Sequence, residues 1–454
     1  MEQTHKRGIG YGFRGWLLIL FQAIAFVTYT VCTNYPLNIL NGLFDGFAGG
    51  EGQGMQLLSM IYTIAAVVAI ILQLLLANKI GKAKSIKVIC MVLGAVSLVL
   101  LFLMMVLSPF TATVPWLICY GVVNVTSVIY GTFAVGILIG QWFPTRKGTV
   151  MGIATFAFPI ANGLIGPFAS AVFAKGAPDI FGAFLPFFIV CVVGWLIGLI
   201  FVTDYPEQCG AYRDNDKNMT PEVAKAMMME EIENKKTTVW KLGHTLACRD
   251  FWLITLPLGF LLMFSVGTMT LTQPICAAVG IVDDGYTTTM AMIMIFGLVG
   301  SYVLGILDTR LGTRKSVIIA LCVMVIAGVL GFVSSPANPG LLRAGLICLA
   351  IFMGASSNYT VSAAAQYWRR EDFSSVFACV NPIANILASS GPVIIARLIA
   401  TKMGYNAIFL VTGIIGIICI VLAALFSPAH IKEIDDKYRA AAGKPLDDAL
   451  VGRK

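Results

Sequence analysis

Twelve apolar runs of about 20 residues each constrain this chain more than any other feature. A helix advances about 1.5 Å per residue and the hydrocarbon core of a bilayer is about 30 Å thick, so each run is long enough to cross. The runs fall at 15–40, 55–77, 88–107, 115–140, 149–173, 184–203, 251–279, 286–307, 316–334, 341–366, 373–401 and 405–426. A soluble chain of 454 residues would divide into about three domains and carry roughly 25% charged residues. Here 12% are charged, 58% are hydrophobic and the mean hydropathy is +0.85. The expected fold is an all-α membrane protein with twelve transmembrane helices, bulky apolar side chains toward lipid and polar groups inward. The first run is too long for a secretory leader, and no small-residue cleavage site follows it closely.

The runs form two sets of six that repeat. Phe158-Pro159-Ile160-Ala161-Asn162 ends in Gly166-Pro167, and Asn381-Pro382-Ile383-Ala384-Asn385 ends in Gly391-Pro392. Each copy lies in the fifth run of its half. Each follows a similar junction, Gln141-Trp142-Phe143 with Arg146-Lys147 and Gln366-Tyr367-Trp368 with Arg369-Arg370. The offsets are 223 for the Asn pair and 225 for the Gln and Gly-Pro pairs. Internal repeats of this kind mark secondary transporters. The expected organisation is a cytoplasmic N-terminus (1–14), a six-helix bundle (15–203), a linker with an amphipathic helix (204–250), a second bundle (251–426) and a tail (427–454). Pro159, Pro167, Pro382 and Pro392 are expected to break the fifth and eleventh helices, at or near the seam between bundles.

Charge sets the expected orientation. All but four of the 31 Lys and Arg fall in segments on one side of the bilayer; the exceptions are Lys175, Arg343, Arg397 and Lys402. Basic loops stay in the cytoplasm, so both termini are expected there, in a cell membrane. Topology also accounts for most of the net charge of +8, and no nucleic-acid partner is inferred from it. The linker contains Thr220-Pro221-Glu222, a helix start, with Met227, Met228, Met229 and Ile232 giving the helix an apolar side. That side either lies on the membrane or inner mouth, or belongs to a solvated linker. The tail is a short helix or lacks structure. The eleven cysteines have no CxxC spacing and read as small buried hydrophobes; no metal or cofactor is expected.

The loops after runs two and eight carry a further signal. They read Asn78-Lys79-Ile80-Gly81-Lys82-Ala83-Lys84 and Gly305-Ile306-Leu307-Asp308-Thr309-Arg310-Leu311-Gly312-Thr313-Arg314-Lys315. This pattern resembles the loop signature of the major facilitator superfamily, once per half. Asn78 stands where the acid is usual, Leu74 where a glycine is usual, and Asp308 sits one place early. The resemblance implies two pseudo-symmetric six-helix bundles, alternating access, and inner-gate loops built on Gly81, Gly305, Asp308, Arg310, Gly312 and Arg314. An acid in such a loop is expected to pair across the seam and latch the inner gate. A narrower resemblance rests on Tyr130, Trp142-Phe143-Pro144, Arg146, Gly148, Gly152-Ile153 and Asp250-Phe251-Trp252. These are similar to the oxalate/formate antiporter-like branch, which implies a small carboxylate substrate.

The candidate pathway follows from polar residues on helical faces. Thr30, Asn34, Asn38 and Asn41 share a side in run one, as do Asn358, Ser362 and Gln366 in run ten. In the superfamily the first, fourth, seventh and tenth helices line the cavity, which points to Tyr29, Asn34, Asn124, Tyr130, Gln273, Asn358 and Tyr359. Arg397 is added as an anion anchor, its planar fork matching a carboxylate, or as a side chain reaching to the outer interface. Asn162 and Asn385, beside prolines, either line the path or satisfy carbonyls that the missing amides leave free. No Asp, Glu, His or Lys lies near the centre of a run, and His5, His244 and His430 are all in cytoplasmic segments. Exchange or facilitated transport is thus expected ahead of proton coupling through a carboxylate. The expected protein is a monomeric carrier of a small organic solute, leading class a small carboxylate. A carrier of neutral or amphipathic compounds and a transporter-like sensor stand as alternatives. No metal cluster, nucleophile–base pair or nucleotide loop points to an enzyme.

Overall fold

A computed structural model describes residues 11–50, 52–80, 85–144, 146–173, 179–216, 219–236, 238–369, 371–444 and 446. Among these residues there is no strand, and twelve helices are long and apolar enough to cross a membrane. Spans one to twelve are Gly12–Ala48, Gln53–Gln73, Ile86–Val106, Thr113–Trp142, Thr149–Phe168, Ile180–Phe201, Arg249–Thr270, Asp284–Leu311, Thr313–Phe332, Pro339–Tyr367, Phe373–Ile399 and Tyr405–Leu425.

In span three, side-chain size separates the two faces. Val88, Val92, Val99, Phe102 and Val106 are exposed, while Cys90, Gly94, Ser97 and Leu101 are buried. The bulky face suits lipid, and the small face lets neighbouring helices approach. Span four is the most buried of the twelve and span six the least, so span four is central and span six peripheral.

The central helices are also the irregular ones. Span one has a π-turn at Pro36–Leu40 and span four has one at Ile129–Ala134. Span seven is interrupted at Leu271 and span ten at Phe352. Pro36 and Pro274 each remove an amide from the helix ladder, and the chain departs from α geometry just there. In span four the cause is packing. A Cβ on Gly131 would stand 2.7 Å from the Ala25 carbonyl oxygen, so only glycine lets spans one and four meet at the π-turn.

The expected breaks at the fifth and eleventh spans are half met. Span five divides into Lys147–Ala154 and Ala157–Phe173, just ahead of Pro159. Span eleven is one helix, Phe373–Ile399, with Pro382 and Pro392 inside it, and Pro167 likewise lies within a helix. Close packing on span seven supports that continuity: a Cβ on Gly391 would meet the Met263 carbonyl at 2.5 Å.

Beyond the spans, the linker helix Pro221–Lys236 starts at Thr220, whose Oγ accepts the Val223 N–H at 3.4 Å. Val223, Met227 and Met229 are exposed and Ala224 is buried. The tail forms a helix, Pro428–Ala441.

Candidate functional site

An even number of spans puts residues 11 and 426 at one end of the bundle, with the basic loops; this is the basic end. In the interior of the first half, tyrosines and amides converge. Tyr29 Oη and Tyr62 Oη are 2.9 Å apart, joining spans one and two. Tyr120 Oη donates to the Thr33 carbonyl at 3.2 Å, and Asn124 Nδ2 donates to the Tyr120 carbonyl at 2.7 Å. Asn34 Oδ1 accepts from Thr33 Oγ1 at 3.3 Å. Tyr29, Asn34 and Asn124 are all buried, yet Asn34 Nδ2 and Asn124 Oδ1 have no partner. Unspent polar groups in a closed interior are costly unless a ligand or water uses them. Tyr62 and Tyr120 complete this cluster and are absent from the sequence-based set.

Two expected pathway residues turn elsewhere. The Tyr130 ring lies over Gly94 of span three and edge-on to Phe21 at 6.0 Å, inside the first half. Tyr359 Oη is 2.7 Å from Ser316 Oγ of span nine, inside the second half. Gln273 is exposed, at the interruption of span seven.

The seam between halves is built on spans five and eight and on spans two and eleven. Thr149 Oγ1 meets Thr309 Oγ1 at 3.3 Å; further along, Gly152 faces Gly305, Pro159 faces Gly297 and Gly166 faces Tyr286. Asn358 of span ten joins this seam. Its carboxamide, oriented by its neighbours, donates to the Met151 carbonyl and accepts the Gly152 N–H, each at 3.2 Å. On the other side, Thr63 Oγ1 donates to the Ser389 carbonyl at 2.9 Å and Asn381 Nδ2 to Gln73 Oε1 at 3.3 Å. Asn162 Nδ2 donates to the Phe158 carbonyl at 2.9 Å, not to that of Thr155, which Pro159 leaves free. The Thr155 carbonyl instead accepts the Phe158 N–H at 3.1 Å. Asn385 Nδ2 has no partner.

Aromatic packing closes the seam at the basic end. The Phe377 ring stacks on Phe133 at 6.1 Å and on Phe373 at 5.6 Å, with interplanar angles of 7° and 11°. Gly136 and Gly140 of span four form the notch that receives them; a Cβ on Gly140 would stand 2.6 Å from the Phe373 ring.

The second-half loop does not latch across the seam as expected. Gly312, at φ 88°, turns the chain so that Thr313 Oγ1 donates to Asp308 Oδ1 at 2.6 Å within its own half. Arg314 donates to the Ala423 and Ala424 carbonyls at 3.1 and 2.6 Å, satisfying the end of span twelve. Gln366 Oε1 and Tyr367 Oη accept the Thr313 and Arg314 N–H groups, both at 2.7 Å. Arg310 is exposed, and Gly81 lies outside the described residues.

The tail helix is fastened over this end. Asp435 accepts from Arg369 Nε at 2.7 Å, Trp240 Nε1 at 2.9 Å and Arg439 Nε at 3.3 Å. Arg439 also pairs with Glu371 and lies 3.7 Å from Asp372. Burial pushes the Asp372 carboxyl above the usual carboxylate range, against the opposing bond from Thr238 at 2.5 Å. Burial also holds Lys444 below its ordinary value, with Arg439 adding to the effect. Asp250, fully buried at the start of span seven, accepts the Ser427 N–H at 2.7 Å and faces His430 Nδ1 at 2.5 Å.

At the opposite end a cavity of about 370 Å³ opens between the halves. Phe47, Ala48, Gln53, Gln56, Leu57, Ser59 and Met60 line it from the first half, and Val393, Ala396 and Arg397 from the second. Among the described residues, no group of three His, Cys, Asp or Glu side chains is placed to hold a metal ion.

The sequence pattern defining the Major Facilitator Superfamily matches residues 17–307 and 255–449. The fold is similar to that of the proton:xylose symporter XylE, with a TM-score of 0.66 at 14% identity, over 92% of this chain and 96% of that one. It is also similar to the human organic anion transporter MFSD10 (TETRAN), with a TM-score of 0.63 at 12% identity, over 90% and 97% of the two chains. No curated protein sequence matches the chain.

Proposed function

The chain belongs to the major facilitator superfamily, and from that premise we propose that it carries a small organic solute, a small carboxylate first, across the cell membrane by alternating access. The basic end is the cytoplasmic face, and both termini lie there. The carrying observation is the buried cluster of Tyr29, Asn34 and Asn124, with polar atoms unspent beside a seam closed at one end. A site of this kind binds a polar solute once one half rocks against the other. The carboxylate class is supported by Arg397, a cation with no acid partner among the described residues, in a cavity shared by both halves. It is also supported by the resemblance to the oxalate/formate antiporter branch. Among proteins of similar fold one is named an organic anion transporter and another a sugar symporter, so fold alone does not choose. The uncharged character of the buried cluster favours a neutral solute as the second reading.

Purified protein in proteoliposomes tests this. Labelled oxalate, formate, lactate and acetate are offered with and without the same solute inside, and with a pH gradient. Uptake stimulated by internal solute and indifferent to the gradient is the expected result for an exchanger. No flux of any carboxylate by folded protein moves the assignment to a neutral solute or to a sensor.

A further inference from the structure

We infer that the cavity at the opposite end is a second, peripheral binding site for a small carboxylate with a short hydrocarbon body, a capture site distinct from the buried cluster. Distance along the helix separates the two. Arg397 follows Ser389, whose carbonyl takes Thr63 Oγ1 next to Tyr62 of the buried cluster, by eight residues in one continuous helix, roughly 12 Å at 1.5 Å per residue. Ser59, one turn before Tyr62, is the innermost buried wall of the cavity on span two. Arg397 therefore serves this cavity rather than the interior.

The lining fits an anion with an apolar end. Arg397, an exposed side chain on the cavity wall, supplies the charge and, among the described residues, carries no hydrogen bond or ion pair. Gln53 and Gln56, in the first turn of the helix Gln53–Ile80, add amide donors beside the positive end of the helix dipole. Asp45, the acid ahead of that helix, accepts the Gly54 N–H at 2.8 Å, and Gly54 is not part of the lining. A second observation is independent of the arginine. Ser59 is fully buried, lines the same cavity, and its hydroxyl has no partner. Phe47, Leu57, Met60 and Val393 supply an apolar wall that a bare dianion would not use. Reaching to the interface explains an arginine near a helix end, but not a chamber that adds two amides and an unspent hydroxyl.

This inference rests on the carboxylate reading above, and the test separates the two. Arg397 in the purified protein is labelled with phenylglyoxal, and the modified peptide is quantified by mass spectrometry with and without butyrate or oxalate. Butyrate is expected to slow labelling at Arg397 at least tenfold, and oxalate less. In oriented proteoliposomes, Arg397→Gln is expected to raise KM at least tenfold for carboxylate entering from the opposite end. KM for entry from the basic end and kcat should be unchanged, and Arg397→Lys should recover part of the loss. Protection without any flux keeps the capture site and overturns the carrier reading. Flux with no protection and an unchanged KM in Arg397→Gln overturns the capture site and leaves the carrier reading standing. Absence of both overturns the capture site as well.

Discussion

Arg369 Nε stands 2.7 Å from Asp435 Oδ2, and both side chains are almost fully removed from solvent. The pair ties the loop between spans ten and eleven to the tail helix, and Trp240 Nε1 adds the linker through the other oxygen of Asp435. Breaking a buried ion pair costs up to about 3–5 kcal/mol, and less where a second cation remains, as Arg439 Nε does at 3.3 Å from Asp435. Arg369→Ala and Asp435→Ala are each expected to lower the melting temperature of the detergent-purified protein sharply. Asp435→Asn, which keeps an acceptor for Trp240, should fall between. Equal melting curves for all three and the native chain would show that the tail is not fastened through this pair.

The neighbouring Asp372 should make stability depend on pH. Burial raises its carboxyl above the ordinary range, so the folded chain holds that proton more tightly than the unfolded chain does. For a raised acid, the contribution to stability is complete below the unfolded value and is lost as pH rises through the folded one. Asp372→Asn keeps an acceptor for Thr238 and removes the ionisation. The variant should melt above the native protein at neutral pH, and the two curves should converge toward about pH 4, near the unfolded carboxyl value. A difference that stays constant from pH 4 to 8 counts against burial as the cause.

The architecture was legible in the sequence because lipid imposes a length and a composition on each span. The seam was legible in part. Pro159 and Gly166 do lie along span eight, since a repeated Pro and Gly pattern marks where backbones approach. The interruptions of spans one, four, seven and ten were not read, although Pro36 and Pro274 were there to be seen. Gly131 gives no such warning, because its role depends on the carbonyl of Ala25 across the helix pair. Tyr130 and Tyr359 sat on the expected helices, but a π-turn and a bond to Ser316 aim them into their own halves. The tail cluster joins residues 240, 369 and 435, and separations so long leave no local pattern to read.

Tyr29→Phe and Tyr62→Phe form a matched pair. Each breaks the same 2.9 Å hydrogen bond, so each should cost about 1 kcal/mol of stability. Their effects on transport should differ. Tyr29 belongs to the proposed binding cluster and Tyr62 supports it from span two. Tyr29→Phe is expected to raise KM several-fold, and Tyr62→Phe to change it little. A KM left unchanged by Tyr29→Phe would remove Tyr29 from the solute site.

Glycines on spans eleven and twelve offer a contrast of position. A Cβ on Gly391 would stand 2.5 Å from the Met263 carbonyl, whereas one on Gly413 would meet its first neighbour at 3.8 Å. Overpacking costs about 1–3 kcal/mol, so Gly391→Ala should destabilise by that order, and Gly413→Ala should not. Thermal unfolding of the two purified variants decides it, and equal midpoints would mean that spans seven and eleven separate freely.

The aromatic stack at the basic end yields a prediction about motion. Phe373 and Phe377 come from span eleven, while Phe133 and the notch at Gly136 and Gly140 come from span four. These contacts join the two halves, so opening at this end must separate them. Truncating a buried Phe costs about 3–5 kcal/mol, and here part of that loss falls on the closed state alone. Each 1.4 kcal/mol lost only by that state moves the equilibrium tenfold toward opening. Phe377→Ala, and more so Phe373→Ala with Phe377→Ala, should therefore speed amide hydrogen exchange across 133–142 at least tenfold. Phe102→Ala is the control, because that ring is 45% exposed on the periphery of span three and touches no residue of the second half among its ring contacts. Exchange in 133–142 that responds equally to the control and to the double variant would mean general loosening, and the stack would then be ordinary packing with no part in a gate.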